Sequence, residues 1–424
     1  MTQVVKAIPI EKEIAIVDGV DVSGHWNRMF EQRVIFNYTP ENIEEIAALP
    51  GGESLAWCYQ CAKCVGVCPV DIVGDYGPRK IYRKVQTGTS LVDAPDLWLC
   101  TTCMNCLRVC PKEVDMIQIM PAVREVAVNQ GNVPSELQKA FENTARYGNP
   151  LGENPRKRAE WAKDAGVPVP IMAQVKRPVD VLWYVSTYTS YHPRGKDAAR
   201  AMARVFTALG VDWGILGPEE KDDGDSQRLA GEKGLFEMLA EQNIATFNKY
   251  QFNKMVVSGP HEYNAFKNLY PKYGGSYAVE HYTQFLRPFL PRLQEMMQKP
   301  LNLKVTFHDP CYLGRHNGEY DAPRDLLRAI PGVELMEMGR CKANGYCCGG
   351  GGGGMWLDSF SRDFTTMRLS ERRVREAVET GADVLAVCCP FEVSRFEDAV
   401  KSTGNAGKLA VKDIIELVDE SMRG

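Results

Sequence analysis

Two stretches, WCYQCAKCVGVCP at 57–69 and LCTTCMNCLRVCP at 99–111, constrain this chain more than any other feature. Both read C-x2-C-x2-C-x3-C-P. The first supplies Cys58, Cys61, Cys64 and Cys68, the second Cys100, Cys103, Cys106 and Cys110. Three thiolates at this spacing wrap three irons of a [4Fe–4S] cube, and the fourth points away to ligate the neighbouring cluster. The expected sets are therefore Cys58, Cys61, Cys64 and Cys110 for one cluster, and Cys100, Cys103, Cys106 and Cys68 for the other. A zinc reading pairs two C-x2-C knuckles around one ion and leaves the third cysteine and the terminal C-P of each run unexplained.

The remaining bounds agree with a redox protein. There are 14 cysteines, and structural disulfides account poorly for them in the reducing cytoplasm where this chain is expected to reside. No apolar run approaches the ~20 residues of a membrane span, and the opening MTQVVKAIPIEKE lacks the parts of a signal peptide. Net charge is −4, and the one basic cluster, Asn154-Pro-Arg-Lys-Arg158, reads as a solvated linker, so nucleic acid is not an expected partner. The insert between the cysteine runs, GDYGPRKIYRKVQTGTSLVDAPDLW, is longer than in small ferredoxins and has helical spacing, which predicts an α-helical ferredoxin domain.

From about residue 179 strands alternate with helices, predicting parallel sheets with helices on their faces. VDVLWYVS (179–186) and KMVVS (254–258) read as strands flanking a helix at 197–210. LKVTFHD (303–309) and ADVLAVC (382–388) read as strands flanking helices at 321–332 and near 358–379. The two halves superimpose as a repeat. Cys311 falls opposite Thr187, Cys347-Cys348-Gly349-Gly350 opposite Asp222-Asp223-Gly224-Asp225, and Cys388-Cys389-Pro390-Phe391-Glu392 opposite Ser258-Gly259-Pro260-His261-Glu262. The first copy has lost every thiol, so one further metal site is expected, in the second copy, in the crevice beyond the carboxyl ends of the strands. The expected fold class is thus α/β with an N-terminal α-helical ferredoxin domain and duplicated C-terminal halves with parallel sheets. The expected division is a partner-docking extension at 1–50, the ferredoxin domain at 51–150, a linker at 151–178, the thiol-free repeat at 179–300 and the cysteine-bearing repeat at 301–424.

The pattern C…CCG…C-P-x-x, with the phrases HDPCYLG, DAPRDLLRAIPGVEL, CCGGGGGGMW and ETGADVLAVCCPFE, resembles the CCG domain of the D-subunit and B-subunit families of heterodisulfide reductase. With a single such site and two ferredoxin clusters, the chain is also similar to the K subunit of the DsrMKJOP complex, the B subunit of the Tmc complex and the iron–sulfur subunit that accompanies tungsten-dependent benzoyl-CoA reductase. The resemblance implies a third, noncubane [4Fe–4S] cluster used to cleave disulfides, held here by Cys311, Cys347, Cys348 and Cys389. The family's fifth cysteine position is Glu392 in this chain. Cys388 next door is the favoured substitute, since soft thiolates suit iron–sulfur iron; Glu392 through oxygen and a four-cysteine cluster are the alternatives. Gly349 and Gly350 open a glycine run whose bare backbone can wrap a cluster and leave a face reachable by a bulky disulfide.

The function so implied is an iron–sulfur oxidoreductase subunit, peripheral on the inner face of the membrane through partners: a quinone or cytochrome module, or a flavin subunit. It would reduce or oxidise the disulfide of a small molecule or a small protein. The alternatives are a pure electron conduit and the iron–sulfur subunit of a 2-hydroxy-acid or glycerol-3-phosphate oxidising complex. Around the site, Asp309 is expected to cap a turn, His308 to satisfy backbone groups, Arg315-His316 to follow the first ligand, and Cys341 to be a spare buried thiol. Asp222 and Asp223 read as a solvated remnant or partner contact, and Trp57, Trp98 and Trp356 as core beside the clusters.

Overall fold

The computed structural model describes residues 16–17, 20–21, 41–91 and 94–423. A two-residue antiparallel pair, β1 (Ile16–Val17) and β2 (Val20–Asp21), precedes the helical part. Most of the expected docking extension lies outside the described residues. Its last part, the helix Glu41–Ala48, buries Ile46 in the ferredoxin core and so belongs to that core.

The N-terminal part is helical, as the insert's spacing predicts. The helix Pro78–Gln86 fills the insert, and Met116–Asn129 and Ser135–Tyr147 follow the second cysteine run. Asp115 caps Met116–Asn129 by accepting from the Ile117 and Gln118 amides. The proline that ends the first run opens the short helix Pro69–Val73, where its missing N–H costs nothing.

Eight strands build two parallel four-stranded sheets. In the first half these are β3 (Val179–Tyr184), β4 (Trp213–Ile215), β5 (Phe252–Val257) and β6 (Val279–His281), ordered β4-β3-β5-β6. In the second they are β7 (Leu303–Phe307), β8 (Val333–Leu335), β9 (Val384–Val387) and β10 (Ala410–Asp413), ordered β10-β9-β7-β8. Counted within each half, both orders are 2-1-3-4, one of them read backwards, so the repeat seen in the sequence is a repeat of topology. The order reverses between first and third strands, which is where ligands of such sheets bind. Cys311 follows the first strand of its sheet and Cys389 the third, and these two strands are paired, Phe307 against Ala386.

Two sequence expectations change here. The helix expected near 358–379 is two helices, Asp358–Phe364 and Leu369–Glu379. Between them Thr365 is extended and bridges Gly74, and the Thr366 amide donates to the Val73 carbonyl at 2.7 Å, so a contact with the ferredoxin part interrupts a continuous helical pattern. The basic cluster is not wholly solvated either. Arg158 is buried against Glu220, and the nearby Trp161 and Met172 pack in the core of the first half.

Candidate iron–sulfur centres

The two ferredoxin runs share an unusual backbone. Gln60 and Thr102, each just before the second cysteine of its run, and Ala62 and Met104, each just after it, all have positive φ, between 51° and 71°. Left-handed φ costs a non-glycine residue roughly 1–2 kcal/mol, so the same strain at the same two positions of each run points to a loop shaped around a bound group. Cys58, Cys61, Cys64, Cys106 and Cys110 line one cavity, whose charged lining residues are Lys63, Arg79 and Lys112. Cys68 and Cys106 are buried, and each acts electrostatically on or is acted on by Cys100. Cys110 thus lies with the first three cysteines of the other run and Cys68 with Cys100 and Cys106, while Cys106 reaches both groups, and the donor set and loop shape fit iron–sulfur clusters. The first site is the outer one, with Cys61 exposed and Trp57 and Tyr59 more than half exposed beside it. Trp57 is therefore not core, whereas Trp98 is buried, with the Arg124 guanidinium 5.3 Å over its ring.

The third site is assembled at the junction of both parts. Cys347 is central: hydrogen bonds from the thiols of Cys103, Cys311 and Cys348 hold its own thiol well below the ordinary value. The amides of Gly349 and Gly350 donate to the sulfurs of Cys347 and Cys348 at 3.3 and 3.4 Å. A buried thiolate ringed by thiols and amides is a donor set that fits an iron–sulfur group and fits a phosphate poorly. Cys103, a residue of the second ferredoxin run, is the member that sequence reasoning did not bring here. Its approach comes from contacts between residues more than two hundred positions apart, which leave no local pattern.

His308, Cys348 and Glu392 form a second cluster in the same place, with one ligand atom of each within 4.8 Å of the others. Arg373 Nε donates to His308 Nδ1 at 3.1 Å, so the ring carries its proton on Nε2, which faces Glu392 Oε1 at 3.2 Å. His308 thus bonds two side chains, where backbone partners were expected. Burial, and then the Arg373 charge, hold His308 well below its ordinary pKa; burial, and then the negative charge of Cys347, push Glu392 well above the usual carboxylate range. Glu392 Oε2 has no hydrogen-bond partner. Cys388 packs instead in the apolar core with Val305, Ala386 and Ile414, and its carbonyl accepts from His281 Nε2 at 3.0 Å. Cys389 is buried and feels Glu392 and Glu262 most among charged groups.

The flanking residues are tightly held. Asp309 binds Arg324 through both oxygens, at 2.7 and 2.9 Å, and accepts from the Lys342 amide at 2.6 Å. Asp309→Ala leaves a buried guanidinium with only the half-buried Glu337, and should cost about 3–5 kcal/mol; a lowered urea midpoint with iron lost first from the third site is the expected readout. Tyr312 stacks between His261 and His316, both ring centroids 4.0 Å away, and its hydroxyl meets Thr102 Oγ1 at 2.8 Å. Cys341 is half-buried. In the thiol-free half, Thr187 follows β3 and Glu262 follows β5, and Thr187 Oγ1 donates to Asp222 at 2.8 Å. Asp222, Asp223 and Glu262 are buried rather than solvated, and burial raises the pKa of all three carboxyls.

Residues 54–114 match the family described as 4Fe-4S dicluster domain, and residues 305–391 the family described as cysteine-rich domain, CCG. A dicluster ferredoxin part joined to a cysteine-rich part defines an iron–sulfur redox protein. Over 411 residues the chain is 31% identical to the D subunit of dihydromethanophenazine:CoB–CoM heterodisulfide reductase of Methanosarcina barkeri, covering 91% of this chain and 96% of that one. The chain belongs to the D-subunit family of heterodisulfide reductase. It is also 36% identical over 357 residues to the probable iron-sulfur-binding oxidoreductase FadF of Bacillus subtilis, covering 82% of this chain and 49% of FadF. The match to the EtfAB:quinone oxidoreductase of Syntrophomonas wolfei is 35% over 338 residues, covering 78% of this chain and 47% of that protein. The chain thus spans about half the length of these last two relatives. No helix among the described residues is long and apolar enough to cross a membrane.

Proposed function

We propose that this chain is an electron-transferring subunit that reduces or oxidises a disulfide at the Cys347 site, fed through the two ferredoxin sites and serving a membrane-associated redox complex. The observation that carries the reading is the close approach of the second cysteine run to the Cys347 loop: Arg315 joins the Cys103 and Gly345 carbonyls at 2.6 and 2.8 Å, and Gly351 and Gly352 lie against Thr101 and Cys100. When bound, two cubane clusters and a third, noncubane [4Fe–4S] cluster would supply the one-electron steps that splitting an S–S bond needs in pairs. Cys311, Cys347, Cys348 and Cys389 would hold the third group, with Glu392 the fifth candidate in preference to Cys388. His308, with its ring proton on Nε2, would hold Glu392 in place beside Cys348. The relatives named for a heterodisulfide and for EtfAB and quinone support partners that are other redox subunits, docking at the outer site where Trp57, Tyr59 and Cys61 meet solvent.

The electron-conduit reading has its own support, because Cys311, Cys347, Cys348 and Cys389 are all buried. A bulky disulfide needs an opening there. Iron determination with EPR after exposure to an oxidised thiol separates the readings. About twelve irons per chain and a paramagnetic signal that appears only with the thiol are expected. About eight irons and no third signal overturn the third site; three clusters with no response to any thiol leave the conduit.

A further inference from the structure

Among the described residues, two arginines are buried without a carboxylate partner. Arg124, 0% exposed on the helix Met116–Asn129, spends all five of its N–H donors on backbone carbonyls. Nε and Nη2 donate to Leu97 at 3.2 and 2.9 Å, Nη2 to Cys100 at 2.8 Å, and Nη1 to Leu229 and Gly352 at 2.8 and 2.7 Å. Arg315 donates from Nε to the Cys103 carbonyl at 2.6 Å and from Nη1 to the Gly345 carbonyl at 2.8 Å. Its Nη2 is buried with no hydrogen-bond partner, and Cys103, Cys311 and Cys347 are the titratable groups that act on it first. Neither guanidinium forms an ion pair among the described residues. Each grips one cysteine carbonyl of the inner ferredoxin run and one carbonyl of the loop around Cys347.

A buried charge without a counter-ion is too costly to leave uncompensated. We infer that Arg124 and Arg315 are positioning residues whose counter-anions are the thiolate-bound iron–sulfur groups they face, the inner one at Cys68, Cys100, Cys103 and Cys106 for both and the one at Cys311 and Cys347 for Arg315 as well, and that they hold the inner group's reduction potential above that of the outer site. Adding an electron makes such a group more negative, and a fixed cation in a low-dielectric surrounding favours the reduced state. The cations at the outer site, Lys63, Arg79 and Lys112, are exposed and screened by water. Electrons entering at Cys61 therefore run downhill toward Cys347. This rests on the iron–sulfur reading of the sites and not on the disulfide chemistry.

The test is an EPR-monitored redox titration of the full chain, without any thiol substrate, so that it stands apart from the fate of the disulfide reading. Arg315→Gln is expected to lower the inner midpoint by at least tenfold in the one-electron equilibrium, 59 mV, and to leave the outer midpoint in place. Arg315→Lys, which keeps the charge and loses the fork, should stay within threefold of the parent. Loss of the inner cluster in the glutamine variant alone, with a parental potential in the lysine variant, also supports the charge role. An unmoved inner midpoint in Arg315→Gln, an equal shift of both sites, or equal damage in both variants overturns it.

Discussion

Replacing Cys347 by serine should empty the third site and spare the other two. Iron falls from about twelve to about eight atoms per chain, the two ferredoxin signals persist, and any thiol-dependent signal disappears. The reason is that Cys347 is the hub: its sulfur accepts from Cys103, Cys311 and Cys348, and the Gly349 amide points at it. A hard hydroxyl in its place is a poor ligand for iron–sulfur iron. Disulfide-coupled turnover should drop by more than the roughly 10–100-fold that loss of an outer-shell partner costs a metal site. Two companion variants separate the fifth-ligand candidates. Glu392→Gln removes a carboxyl oxygen beside Cys348 and should alter the third signal. Cys388→Ser changes a residue buried in the apolar core and should leave the iron content at its parental value. Four irons lost from Cys388→Ser, with Glu392→Gln silent, would return the fifth position to Cys388.

What the sequence made legible was whatever covalent spacing enforces. The two ferredoxin runs, the CCG residues and the paired strands that carry Cys311 and Cys389 could be read because a few consecutive residues contain each signal. The topological repeat was legible too, since Thr187, Asp222 and Glu262 keep the order of the lost ligands. Edge strands of three or four residues, such as Trp213–Ile215 and Val333–Leu335, were missed because a period needs more length than that. The solvated reading of Asp222 and Asp223 failed for a different reason: charge in sequence says nothing about burial when Thr187 and backbone amides wait to satisfy it. Arg124 left a faint trace, a charged residue on the helical face that also carries Met116, Met120, Val123 and Ala127, all buried. Such a position demands a partner, but the partners, the carbonyls of Leu97, Cys100, Leu229 and Gly352, come from three separate segments. The approach of Cys103 to Cys347 left no trace at all.

The glycine run is where sequence and structure differ most in meaning, and it carries the second large prediction. Bare backbone beside Cys347 was expected to keep a face open; instead Gly351 and Gly352 lie against the ferredoxin loop. A Cβ on Gly351 would stand 2.5 Å from the Thr101 carbonyl oxygen, and one on Gly352 2.3 Å from that of Cys100. Gly352 also has φ +62°. Gly352→Ala therefore meets two costs, roughly 1–2 kcal/mol for left-handed backbone and about 1–3 kcal/mol for an overlap that backbone cannot evade by changing rotamer. Gly381→Ala is the matched control: its φ is +71° and nothing lies within 4 Å of the added carbon, so it bears the first cost alone. The urea midpoint of Gly352→Ala should fall below that of Gly381→Ala at unchanged slope. Relief of the overlap pushes the loop from Cys100, loosens the Gly352 carbonyl from Arg124 and draws Cys347 away from Cys103, so electron exchange between the inner and third sites should slow in Gly352→Ala and not in Gly381→Ala. Equal midpoints and equal exchange rates in the two variants would mean that the run is not the clamp between the ferredoxin part and the CCG site.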